Sequence, residues 1–175
     1  MGVYAPVEGK KQATEEFYRE LQQRMDKISK NENISLSGDF NGRIGNQPIP
    51  ECIGTCGEQV MNNNGAALRD IRAFNKLNIT NSFYRHKDIH KFTWEARGTK
   101  SIIDYIIIND RLKSNIEYTR VFRGSGINSD HKLVESKFIF GTHAKLSHIK
   151  TDKTIYKKKK KKTQHLNYIC WNKNQ

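Results

Sequence analysis

Apolar and polar positions follow two rhythms along the first 140 residues. Between Ala13 and Lys30, Phe17, Leu21, Met25 and Ile28 recur at spacings of four and three. That period predicts a helix with one apolar face, its acidic residues crowding the first turn. A second helix is expected to open at Asn64 as N-cap and to bury Leu68, Ile71, Phe74 and Leu77. Shorter runs read as strands: "VYAP" (3–6), "ISLSG" (34–38), "NITNSFY" (78–84), "KFTWEA" (91–96), "SIIDYIII" (101–108), "EYTRVFR" (117–123) and "LVESKFIF" (133–140). Residues 43–63 carry Gly, Pro and Asn signals and read as a long loop, and "GSGINSDH" (124–131) as a polar one. Helices mixed with strands in this order predict an α/β or α+β domain.

The pattern fails after about residue 140. There a run of six Lys, 157–162, sits in a stretch with little periodicity, which self-repulsion is expected to keep extended and disordered. The expected organisation is therefore a domain over 1–140 and a Lys-rich tail over 141–175. Charge follows the same division. The chain of 175 residues has a net charge of +13, but residues 141–175 hold ten Lys against one Asp. The rest holds 21 basic and 17 acidic side chains, so the body is only mildly basic. A basic chain points to a polyanionic partner: DNA, with RNA as the alternative. Apolar residues make up 35% and mean hydropathy is −0.80, so any core is lean.

Three cysteines, Cys52, Cys56 and Cys170, are too few and too odd in number for a disulfide framework. No stretch of the chain is apolar enough to serve as a signal core or to span a bilayer. The expectation is a soluble intracellular protein, nuclear rather than cytoplasmic, with no membrane partner and no small-molecule cofactor. Cys52-x₃-Cys56 and His86-x₃-His90 resemble zinc ligands only loosely, because 29 residues separate the pairs where a finger has about 12 to 15.

Three loop tips could carry chemistry. In "SGDFNG", Asp39 and Asn41 would project together if the strand continued through them, since side chains at i and i+2 share a face. An Asx turn is the alternative. In "SIIDYIII", Asp104 interrupts a near-continuous apolar run. A carboxylate buried there needs a partner. "NSDHKLV" supplies one, His131, beside Ser129 and Asp130 at the start of an apolar strand. A carboxylate on one ring nitrogen fixes the tautomer and favours the imidazolium, whose other nitrogen can then donate to an anionic oxygen. Together these groups suit phosphodiester hydrolysis. Asp39 would take a proton from water, Asn41 and His131 would donate to phosphate oxygens, and Asp130 would offer an oxygen to Mg²⁺. "FTW" (92–94) is either a packed strand or a segment whose Thr93 or Trp94 touches substrate.

The order "VYAP", "SGDFNG", "FTW", "SIIDYIII", "NSDHKLV" resembles the endonuclease/exonuclease/phosphatase superfamily. It is similar in particular to the apurinic-type endonuclease domain of non-LTR retrotransposons, a group in which some copies are called craniofacial development protein 2-like. The resemblance runs from residue 3 to about 140. It implies a DNase I-like four-layer α/β/β/α sandwich that cuts DNA with Mg²⁺ or Mn²⁺. It implies catalytic roles for Asp39, Asn41, Asp104 and His131, with Asp104 paired to His131. It also implies substrate contacts from Tyr4, Thr93, Trp94 and Ser129, and a place for Asp130 at the metal.

This chain has Val7 where apurinic members carry an Asn. In the family a further segment precedes the tyrosine motif and supplies an Asn and the principal metal-binding Glu. With the sequence opening at that motif, the expectation is an incomplete sandwich, weak metal binding and little activity. The alternatives are a non-catalytic nucleic-acid binder that relies on the Lys run, and a retroelement relic with no selected function, in which the Lys run is a translated poly(A) tract.

Overall fold

The computed structural model describes residues 1–122 and 129–140, together with the backbone of 163–168. Its elements are β1 (Gly2–Tyr4), α1 (Lys11–Asp26), β2 (Ser35–Asp39), α2 (Asn63–Phe74), β3 (Leu77–Ile79), β4 (Trp94–Ala96), β5 (Thr99–Ser101), β6 (Asp104–Asn109), α3 (Asp110–Lys113), β7 (Ile116–Phe122), β8 (Leu133–Ile139) and β9 (Thr163–Tyr168). Four strands form one sheet in the order β1-β2-β6-β3, and three form another in the order β7-β8-β9. β1 runs parallel to β2, and the other pairings in both sheets are antiparallel. β4 and β5 form a hairpin. Its two-residue turn is Arg97-Gly98, with φ of 50° and 78°, the double positive φ of a type I′ turn.

β6 explains the layering. Successive side chains of a strand point to opposite faces, and β6 is buried on both. Tyr105 and Ile107 join Leu36, Phe40, Leu68, Ile71, Tyr18, Leu21 and Met25 in a core beneath α1 and α2. Ile106 and Ile108 face the other way, against Leu112, Val134 and Phe138. Helices therefore cover one side of the first sheet and the second sheet covers the other. The continuous apolar run "SIIDYIII" is the sequence signature of that double burial. Among the described residues this gives the α/β/β part of the expected sandwich.

Several sequence expectations shift in detail. α1 begins at Lys11, so Glu15 and Glu16 fall beyond its first turn. Its buried face is Thr14, Tyr18, Leu21 and Met25, with Phe17 and Ile28 packed at the margin. α2 is capped by Asn62, whose side chain accepts from the Gly65 N–H, and not by Asn64. Only Leu68 and Ile71 of the expected α2 face are core residues of that helix; Phe74 is 76% exposed, and Leu77 belongs to β3. The strand expected over 78–84 ends at Ile79 and becomes a single 3₁₀ turn, Thr80–Ser82. Thr163–Tyr168, within the Lys-rich tail, pair with β8. The Lys run and the rest of 141–175 lie outside the described residues, as do Arg123, the last residue of the strand expected over 117–123, and 124–128 of the polar loop. Among the described residues, no helix is long and apolar enough to cross a membrane.

Candidate active site

β2 and β6 deliver the first two groups. Their antiparallel register sets Asp39 directly opposite Asp104, and both are buried, at 8% and 1% exposure. Like charges opposite one another destabilise a sheet unless something intervenes. His131 intervenes. Its Nδ1 lies 3.0 and 3.1 Å from the two carboxylate oxygens of Asp104. Its Nε2 lies 3.9 Å from Asp39 Oδ2. Burial alone would push the His131 imidazolium down, but the Asp104 hydrogen bond and charge, then the charges of Asp39 and Asp130, outweigh it and hold the pKa above the usual histidine range. The charged form is thus the one this pocket favours.

The supports of this cluster are visible in the backbone. Thr93 is fully buried, and its Oγ1 accepts from the N–H groups of Ile103 and Asp104 at 3.0 and 3.1 Å. The residue expected to face substrate therefore holds the start of β6 in place. Asn81 donates to the Asp104 carbonyl at 3.1 Å. On the other side, Lys132 N–H donates to the Thr93 carbonyl at 2.7 Å, Glu95 N–H donates to the Asp130 carbonyl at 2.9 Å, and Trp94 forms a bridge with His131. The β4 segment is thereby tied to the tip that carries His131.

The other expected residues take these places. Asp130 is exposed, and its Oδ2 accepts from the Trp94 indole at 2.8 Å. Ser129 Oγ accepts from the His131 N–H at 3.1 Å, a local turn that aims the imidazole. Tyr4, half exposed, ends β1 in register with Asp39. Asn41 does not continue the strand. β2 stops at Asp39, Asn41 adopts φ 46°, and its N–H donates to Asp39 Oδ1 at 2.8 Å. The same-face argument fails here because the chain makes the Asx turn instead. The turn still keeps Asn41 beside Asp39, and Asn41 Nδ2 donates to the Ala5 carbonyl at 2.8 Å.

Among the described residues, one group of side chains could hold a metal ion: Asp39, Asp104 and His131, with ligand atoms within 4.8 Å of one another. Two carboxylates and an imidazole are a suitable donor set for a divalent cation. Asp130, the ligand expected from sequence, stands beside this group rather than in it. Cys52, Cys56, His86 and His90 form no such group. His86 and His90 bond the carbonyls of Thr119 and Val121 along the edge of β7.

Sequence reasoning passed over Asn62 and Asn64, both of which reach the Asn41 carbonyl. The signal was the triple asparagine before Gly65, read only as a helix start. One prediction follows from the imidazole's position. In metal-free protein, the His131 ring protons observed by NMR titrate above about 6.5, the unperturbed value, and Asp104→Asn moves that midpoint down. A midpoint unmoved by the substitution would contradict the pairing.

No family model matches the chain. Craniofacial development protein 2 of Bos taurus is 31% identical to it over 139 residues, 78% of this chain and 24% of the relative. Craniofacial development protein 2 of Tragulus javanicus is 32% identical over 124 residues, 70% of this chain and 22% of the relative. The chain thus spans about a quarter of the length of these curated relatives. In fold it is similar to the 3′ phosphatase NExo from Neisseria, solved bound to a product DNA hairpin. The TM-score is 0.56 at 17% identity, covering 79% of this chain and 60% of that one. Homology to the craniofacial development proteins and a fold shared with this phosphatase support the resemblance to the endonuclease/exonuclease/phosphatase superfamily that the sequence motifs carry.

Proposed function

We propose that the chain carries the catalytic face of a metal-dependent phosphodiesterase that cuts DNA, of the type found in non-LTR retrotransposons. The observation that carries this reading is His131 set between two buried carboxylates, Asp104 at 3.0 Å and Asp39 at 3.9 Å. Such an imidazolium is a fixed donor for a phosphate oxygen on which charge accumulates. Asp104 holds the ring by Nδ1 and so directs the other nitrogen outward. Asp39 is placed to take the proton of an attacking water. Asn41, locked beside it, offers an amide to the phosphate. Tyr4 and Trp94 stand at the rim where a nucleic-acid backbone would lie, and Ser129 acts by aiming His131.

With His131 charged and bonded to Asp104, Asp39 is the member of that group left to offer oxygen to Mg²⁺ or Mn²⁺, with Asp130 beside it as the further carboxylate expected from sequence; the ion, when bound, would offset phosphate charge and stabilise the leaving oxygen. The choice of DNA is supported by the DNA hairpin bound to the structurally similar 3′ phosphatase. The retrotransposon assignment is supported by the order of the five sequence motifs. That neighbour also favours a second reading, removal of a 3′ phosphate from DNA.

The test is an incubation of the purified chain with supercoiled plasmid and, separately, with a 3′-phosphorylated hairpin. Nicked circles in Mg²⁺ or Mn²⁺, lost on chelation and restored by adding the metal back, are the expected result. Phosphate release without nicking would favour the second reading. Tight DNA retention with neither product would leave a non-catalytic binder.

A further inference from the structure

We propose that the N-terminus of α2 is a clamp that sets the catalytic turn, with Asn62 and Asn64 as positioning residues for Asn41. This rests on the proposed hydrolytic function of the site. Asn41 sits in the left-handed region at φ 46°, which Asn tolerates better than other non-glycine residues but which does not by itself fix the turn. The surroundings are asparagines. The Asn41 carbonyl accepts from Asn62 Nδ2 at 3.1 Å and from Asn64 Nδ2 at 3.2 Å.

Each clamp residue is itself anchored. Asn62 Oδ1 accepts from the N–H groups of Gly65 and Arg43, each at 2.8 Å. Asn64 is 1% exposed. It donates to the Pro6 carbonyl at 2.7 Å and accepts from Thr14 Oγ1 at 3.0 Å. One buried amide therefore joins the end of β1, the first turn of α1 and the catalytic turn. No side chain intervenes between helix and turn: a Cβ on Gly42 would lie 3.0 Å from the Gly65 nitrogen. The helix start is pressed against the turn backbone, and movement of either displaces Asn41 and, through its N–H, Asp39.

Asn62 separates this role from ordinary capping. Asn62→Asp keeps an oxygen to cap α2, since Asp and Asn are comparable N-caps. It replaces the donor to the Asn41 carbonyl with an acceptor. The expected result is a melting temperature close to that of the parent chain, an unchanged KM for DNA and a kcat lower by about 10- to 100-fold, the range for a displaced catalytic group. Asn62→Ser, which also caps but has no amide to reach Asn41, should show the same split. Amide hydrogen exchange at Asn41 reads the clamp without catalysis and should accelerate in both variants. If the parent chain cleaves DNA and both variants keep its kcat, the clamp is overturned. If the parent chain does not cleave at all, the hydrolytic reading fails, and unchanged exchange at Asn41 would then overturn the clamp as well.

Discussion

Asp104→Asn should slow DNA cleavage by about 10⁴-fold with the fold retained, a loss of the size seen when the acid partner of a catalytic histidine is neutralised. The substitution preserves shape at a site that is 1% exposed, so packing should survive. What disappears is the charge. His131 is held above its usual pKa range by Asp104 first among the groups that raise it. Without that charge only Asp39 and Asp130 are left to oppose burial, so the imidazole gives up its proton at lower pH. A neutral ring protonated on Nδ1 presents a lone pair, not an N–H, toward the phosphate.

The pH profile therefore separates this cause from general damage. In the parent chain, cleavage falls as pH rises through the raised His131 value; in the variant that fall comes at lower pH. Stability in metal-free buffer should follow the same logic. A raised folded-state pKa contributes stability that is fully present below the unfolded value, about 6.5, and is lost as pH rises through the folded value. Asp104→Asn should then be destabilising on the acidic side of that window. Above it, the substitution removes one of two opposed carboxylates and should be close to neutral. A variant with the parent kcat and the parent pH profile would remove His131–Asp104 from the mechanism.

That pair was legible in the sequence because burial forces it. A lone carboxylate inside "SIIDYIII" is costly unless something pairs with it, and few side chains elsewhere in the chain sit at a strand tip as His131 does. β6 itself was legible for the same reason, since apolar residues on both faces of a run leave one place for it, the centre of the fold. Other features lie in differences of fit that a sequence pattern does not encode. Asn62, Asn63 and Asn64 are equal candidates for a helix cap. Which one caps depends on where the Arg43 backbone passes, and the contact is long-range. Thr93 reads equally as a groove residue or a buried one until the Asp104 N–H is seen to need an acceptor. The Asp39–Asn41 turn depended on whether the strand stopped, and it stops because Asn41 takes a positive φ. The helical period placed Phe74 on the buried face, yet α2 ends there and Phe74 is exposed while Ile71 and Arg72 of the same turn are buried.

Gly65→Ala should be among the most destabilising single changes in the chain, although alanine is the better helix former by about 1 kcal/mol. A Cβ at this position would stand 1.9 Å from the Arg43 carbonyl oxygen and 2.4 Å from its carbon. Both are backbone atoms, so no rotamer change relieves the overlap. Nor can Arg43 yield easily. Its N–H donates to Asn62 Oδ1 at 2.8 Å, its carbonyl accepts from the Asn62 N–H at 3.1 Å, and its guanidinium holds the buried Glu58 at 2.9 Å. Glu58 in turn accepts from the Ile102 N–H at 3.0 Å, just before β6. Relief must come from lifting the start of α2 off the catalytic turn, which breaks the Asn62 and Asn64 bonds together. Overpacking of this kind costs about 3 kcal/mol, which for a domain of this size lowers Tm by roughly 6–12 °C. Gly2→Ala, where nothing lies within 4 Å of the added carbon, is the control and should melt with the parent chain. Because the strain falls on the turn, cleavage by Gly65→Ala should also be impaired at temperatures well below its melting point. A variant that melted and cut like the parent would mean that α2 does not press on Arg43 as described.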